Sequence, residues 1–144
     1  MQFDGRGSKV MVVDNDRTAL EMIQIRLDVA GFHPMVARSS FSALDVLKNS
    51  RPDVLILERS MPEMDGLQLL HELSTITPAG RMFPVLLVGR SLAAEDVRAA
   101  IQMGVRDVLA KPFSGAAMLE RVARLLKKTT PLQTPAPTRA VVQV

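Results

Sequence analysis

Short apolar runs alternate with longer segments of helical spacing along most of the chain. Lys9-Val10-Met11-Val12-Val13, Phe32 to Ala37, Asp53-Val54-Leu55-Ile56-Leu57, Pro84-Val85-Leu86-Leu87-Val88 and Asp107-Val108-Leu109-Ala110 have the length and composition of strands. The fourth is apolar throughout, which suits a strand covered on both faces. Pro34 marks the second as an edge strand, because proline cannot donate to a ladder. Between the runs lie five helical patterns. Arg17 to Ala30 carries Leu20, Ile23 and Leu27 and stops at Gly31. Ser39 or Ser40 opens a helix with Phe41, Leu44 and Leu47. Gly66 to Thr77 holds Leu67, Leu70 and Leu73, and Leu92 to Met103 ends at Gly104. Ser114 caps a last helix with Met118, Leu119, Val122, Leu125 and Leu126. Five strands alternating with five helices predict an α/β fold, a parallel sheet doubly wound by helices on both faces.

The pattern ends near Lys128. Residues 129–144 turn to Thr, Pro and Gln, a linker composition, and finish on the strand-like Ala140-Val141-Val142-Gln143-Val144. The expected organisation is an extension over residues 1–8, one domain over 9–128 and a Pro-rich tail over 129–144. The 144 residues suit that count.

Composition removes several kinds of chemistry. The chain has no cysteine, so disulfides, thiolate catalysis and cysteine-ligated zinc are excluded. Its two histidines, His33 and His71, lie far apart, which disfavours a histidine metal site. Five Phe without Trp or Tyr make a poor base-stacking platform. The net charge of +3 comes from Lys127, Lys128 and Arg139; up to Leu126, acids and bases balance. No basic face for nucleic acid is therefore expected. No apolar run approaches the ~18 residues of a membrane span, and the first residues lack a signal-peptide core. The expectation is a cytoplasmic protein with no nucleic-acid or membrane partner.

Parallel crossovers bring the carboxyl ends of all strands to one edge, where ligands of such sheets gather. Asp14-Asn15-Asp16, Glu58, Gly89 and Lys111 stand there. Asp14 and Asp16 offer a carboxylate pair for Mg²⁺; alternatively, Asn15 or Asp16 caps the following helix. Glu58 is expected to project toward the same cleft; alternatively it is a solvated carboxylate at the end of its strand. Lys111 can pair with an anion or a phosphoryl oxygen. Arg59 and Arg90 flank the site and either pair with Glu58, Asp14 or Asp16 or stay solvated. Met22 and Met118 read as core filler, His71 as an exposed helix residue, and His33 has no assigned role.

From Lys9 to about Lys128 the chain resembles the receiver domain of two-component response regulators. The resemblance rests on Val12-Val13-Asp14-Asn15-Asp16, Arg51 to Leu57, Met61-Pro62-Glu63-Met64-Asp65-Gly66, and Gly104 through Lys111-Pro112-Phe113. It implies a flavodoxin-like sheet with strand order 2-1-3-4-5. It also implies a phosphoryl switch, in which an aspartate after the third strand accepts a phosphoryl group from a histidine kinase. Acids after the first strand then hold Mg²⁺, a Ser or Thr after the fourth strand and a Lys after the fifth contact the phosphoryl group, and an aromatic in the fifth strand reports the change.

On that mapping Glu58 stands at the acceptor position and Asn15 at the second acid. Gly89 takes the hydroxyl position, followed by Arg90, and Val108 the aromatic one. Asp14 and Lys111 match. Asp16 and Ser91 lie near these positions, and a small offset would let either partly substitute. A metal site of Asp14, Asn15 and Glu58 would hold Mg²⁺ weakly, because Asn15 is a neutral ligand. Glutamate reaches roughly 1.5 Å further than aspartate, and a misplacement of that size costs ~10²-fold where alignment matters. The carboxylate of Glu58 is instead expected to pair with Lys111 as a phosphoryl oxygen would, with fewer oxygens and less charge.

The resulting expectation is a receiver-only protein, not an enzyme, that acts by contact with a sensor histidine kinase or another regulator, with phosphorylation impaired or bypassed. The alternative is a phosphate shuttle or sink accepting on Glu58, Asp14 or Asp16. A flavodoxin-like nucleotide binder would need a phosphate loop after the first strand, which is not there. The resemblance places the contact surface on roughly Leu92 to Lys128, the fourth helix, fifth strand and fifth helix. A homodimer through that face, or through exchange of the tail, is a further expectation.

Overall fold

A computed structural model describes residues 7–78 and 80–128. The elements run β1 (Lys9–Val13), α1 (Arg17–Val29), β2 (His33–Ala37), α2 (Ser40–Leu47), β3 (Val54–Glu58), α3 (Gly66–Ile76), β4 (Val85–Gly89), α4 (Ala94–Gln102), β5 (Val105–Ala110) and α5 (Gly115–Lys128). The strands form one parallel sheet in the order β2-β1-β3-β4-β5. This is the expected doubly wound, flavodoxin-like arrangement. Pro34 lies on the edge strand β2, where a missing donor is tolerated.

The period of two along each central strand divides the core into two layers. Met11, Val13, Leu55, Leu57, Val85 and Leu87 face α2, α3 and α4, where Ala43, Leu47, Leu69, Leu70, Leu73 and Ala100 meet them. Val10, Val12, Val54, Ile56, Leu86 and Val88 face α1 and α5, against Leu20, Ile23, Leu27, Met118, Val122 and Leu125. Full burial of each such side chain contributes roughly 1.5–3 kcal/mol. Because β1, β3 and β4 are covered on both faces, their apolar runs are continuous rather than alternating. Met118 is a core residue and Met22 packs against the same layer, while His71 is exposed.

Helix starts follow their caps. Asp16 caps α1, accepting from the backbone N–H groups of Thr18 and Ala19. Ser39 accepts from the Ser42 N–H at α2, and Ser114 from the Ala117 N–H at α5. Asp65 and Gln68 close a capping box on α3. Most boundaries agree with the sequence pattern to within one or two residues, and four of the differences bear on the site or the sheet. β3 and β4 extend one residue further, taking in Glu58 and Gly89, because their backbones stay in the ladder. β5 begins two residues earlier, at the buried Val105, with a register shift that leaves Arg106 out of the pairing. α4 starts at Ala94 rather than Leu92, whose side chain packs into the core from the preceding loop. Among the described residues no helix is long and apolar enough to cross a membrane. The tail over 129–144 and its proposed arm lie outside the described residues, as do residues 1–6.

Candidate functional site

The carboxyl edge of the sheet brings Asp14, Glu58 and Lys111 into contact. Asp14 follows β1 and is 1% exposed; Glu58 ends β3 and is 5% exposed. Lys111 follows β5 and crosses to both: its Nζ lies 2.6 Å from Asp14 Oδ2 and 2.6 Å from Glu58 Oε1. The expected pairing of Glu58 with Lys111 is thus present. The remaining oxygens are also used. Glu58 Oε2 accepts from the Ser60 N–H at 2.7 Å, and Asp14 Oδ1 from the Asp16 N–H at 2.9 Å. Charge-assisted bonds of this length are the strong class of protein hydrogen bonds. Burial alone pulls the Lys111 ammonium toward neutrality. The hydrogen bonds and charges of Asp14 and Glu58 outweigh it and hold the group above the ordinary lysine range. A cavity of about 250 Å³ opens beside the cluster, lined by Asp14, Asn15, Glu58, Arg90, Ser91 and Lys111 among others.

The other candidates fall into place around this cluster. Asp16 spends one carboxylate oxygen on the α1 cap, the alternative role foreseen for it. Asn15 and Ser91 are exposed and Gly89 is buried. Val108 is half-buried against the α2–α3–α4 layer. Arg59 departs from expectation. It pairs with none of Glu58, Asp14 and Asp16; its Nη1 lies 3.2 Å from Asp65 Oδ2 and its Nε 3.1 Å from Asp96 Oδ2. The β3–α3 loop turns its side chain away from the cleft, toward the first turns of α3 and α4. The bond to Asp96 strengthens its hold on its proton, against a smaller opposing effect of burial. Arg90 is exposed and makes no ion pair with the three acids.

These donors fit Mg²⁺ poorly. The ion needs several oxygens turned toward it and binds best to uncompensated carboxylates, whereas Asp14 and Glu58 are both charge-paired with Lys111 and their other oxygens accept from the backbone. Asn15 adds only a neutral carbonyl. Among the described residues no group of three acids or histidines is arranged to hold a metal ion.

Three contributors were not singled out from sequence: the Ser60 N–H, Asp96, and Leu92 over Gly89. The acidic first turn of α4, Glu95-Asp96, was a readable signal; its partner Arg59, 37 positions away, was not.

The fold and this edge define the class: a parallel α/β domain with an acidic cleft and a lysine at the carboxyl ends of its strands. Comparison with known proteins specifies it. The family model of the response regulator receiver domain matches residues 10–123, and the chain belongs to that family, whose members are the receiver domains of two-component systems. It is 34% identical over 128 residues to the response regulator MprA of Mycobacterium sp. (strain KMS), covering 88% of this chain and 54% of that one. It is 35% identical over 126 residues to the probable transcriptional regulatory protein TcrX of Mycobacterium tuberculosis, covering 88% and 53%. The chain therefore spans about half the length of these curated relatives. Among solved structures, the receiver domain of the Francisella response regulator 1452 aligns with a TM-score of 0.75 and 28% identity, over 86% of this chain and all of that one. A CheY-like receiver domain from Methanospirillum hungatei aligns with a TM-score of 0.78, over 85% and 95%; its 19% identity speaks for the fold alone.

Proposed function

We propose that this chain is a receiver that works by protein contact with a histidine kinase or another two-component regulator in the cytoplasm, without acceptor phosphorylation as its switch. Glu58 at the acceptor position acts as a fixed carboxylate. The observation that carries the reading is that both oxygens of Glu58 are held: one sits on Lys111 and the other on the Ser60 N–H. The lysine that would meet a phosphoryl oxygen is already neutralised by two carboxylates. Gly89 offers no hydroxyl and Val108 no ring, so both relay positions of a switching receiver lack their usual groups. The family resemblance supplies the contact surface, α4, β5 and α5, on which Ile101 is a large exposed apolar side chain. The experiment is intact-protein mass after incubation with a small acyl-phosphate donor and Mg²⁺, with Glu58→Asp alongside. No adduct is expected on the natural chain. A phosphoryl adduct there, lost in Glu58→Gln, would establish the shuttle or sink instead.

A further inference from the structure

We propose that Gly89 is the positioning residue for Glu58. Glycine at the end of β4 leaves the room that the longer carboxylate occupies, so the two positions are a matched pair: a side chain at position 89 is accommodated only when position 58 is shortened. The inference rests on the reading of Glu58 as a fixed carboxylate and explains how it is fixed.

The backbone does not call for glycine here. Gly89 is not among the glycines with positive φ, and as the last residue of β4 it pairs in the ladder with Ala110. The demand comes from space. A Cβ built on Gly89 would lie 3.3 Å from Glu58 Oε2, 3.2 Å from Arg59 Cβ and 3.1 Å from Leu92 Cδ2. Each distance is tighter than most Cβ atoms tolerate, so each neighbour must give by a few tenths of an ångström. The three neighbours differ in how they can yield. Leu92 presents the end of a flexible side chain and can turn away. Arg59 Cβ can give by a few tenths of an ångström with its backbone. Glu58 Oε2 is held at 2.7 Å by the Ser60 N–H, and the same carboxylate is held at 2.6 Å by Lys111. Oε2 is the crowded atom, so moving it means lengthening its bond to the Ser60 N–H in a buried site.

The converse also follows. Aspartate at position 58 withdraws the carboxylate by roughly 1.5 Å, which opens the volume beside Gly89. A threonine or serine at position 89 therefore has room only when position 58 is shortened. Two substitutions are therefore needed to place a hydroxyl beside an aspartate at this edge.

A thermodynamic cycle tests this without relying on phosphorylation. Gly89→Ala is made in the natural chain, in Glu58→Asp and in Glu58→Gln, and each chain is followed by its urea midpoint and by the NMR shift of the Ser60 amide proton. Gly89→Ala is expected to lower the midpoint in the natural chain and equally in Glu58→Gln, which keeps the length. In the Glu58→Asp background the loss should be smaller or become a gain, because Ala restricts the unfolded chain. The contacts with Arg59 and Leu92 are common to all backgrounds and cancel. The Ser60 amide proton should move upfield when Gly89→Ala is introduced into the natural chain, as Oε2 is pushed off it. If Gly89→Ala prevents folding of the natural chain, recovery of folding in Gly89→Ala/Glu58→Asp supports the pairing in the same way. Equal losses in the Glu58 and Glu58→Asp backgrounds, or a Ser60 amide unmoved by Gly89→Ala, would overturn it. A phosphoryl adduct on the natural chain sinks the functional reading, whereas additivity in this cycle sinks only the pairing, so the two failures are distinguishable.

Discussion

Lys111 carries one positive charge between two buried carboxylates, and that imbalance decides what its removal does. In Lys111→Met, Asp14 and Glu58 remain buried with no cation between them. Breaking a buried pair by deleting one partner costs about 3–5 kcal/mol, because an uncompensated charge stays behind. The expected result is a loss of about 3 kcal/mol in urea unfolding. Adding Glu58→Gln should recover part of it, because one of the two facing charges is then gone. If Lys111→Met is neutral, the cluster is solvated in a way its burial contradicts. That these groups share one edge was legible in the sequence, because a parallel sheet brings the carboxyl ends of its strands together; the pairing of Glu58 with Lys111 followed from the receiver resemblance. The fate of Arg59 was not. Which way its side chain turns depends on the β3–α3 loop, where Glu63 adopts φ 69° and the Met64 N–H bonds back to the Pro62 carbonyl. Residue types alone do not specify such a turn.

At the level of elements, periodicity settled nearly everything and failed only at ends. Short apolar runs placed the five strands and helical spacing of apolar residues placed the five helices. Glu58 and Gly89 were read as residues after their strands because neither is apolar or β-branched, yet ladder hydrogen bonding does not depend on side chain. Leu92 fits the spacing of α4, but the space above Gly89 draws it into the core from the loop. The start of β5 was hidden because Arg106 interrupts the apolar run. The start of α3 offers the sharpest test of how elements are joined. A Cβ on Gly66 would overlap the Glu58 carbonyl oxygen and lie 3.1 Å from Arg59 Cα. These are backbone atoms and cannot turn aside. Gly66→Ala should therefore cost about 1–3 kcal/mol from overpacking, outweighing the roughly 0.4–1 kcal/mol that alanine gains through the unfolded state. A raised midpoint in urea for Gly66→Ala would show that α3 can shift away from β3 freely.

For the whole molecule, the site is also a tie between distant parts of the chain. Lys111 reaches Asp14 across 97 positions and joins the ends of β1, β3 and β5, which the two apolar layers hold only through their faces. That tie depends on a proton. Lys111 binds its proton more tightly in the folded protein than an unfolded lysine does, so at high pH the native state carries more protons than the unfolded one. Stability then falls as pH rises. The contribution is complete below the ordinary lysine value of 10.5. It declines above that value and is gone once the pH passes the raised folded value. Urea midpoints measured from about pH 8 to about pH 12 for the natural chain and for Lys111→Met should separate this group from the other lysines and arginines, which add the same slope to both. The difference between the two chains should be constant up to the ordinary lysine range and shrink beyond it. Parallel curves across the whole range would mean that the ammonium at the sheet edge is not what links the three strands.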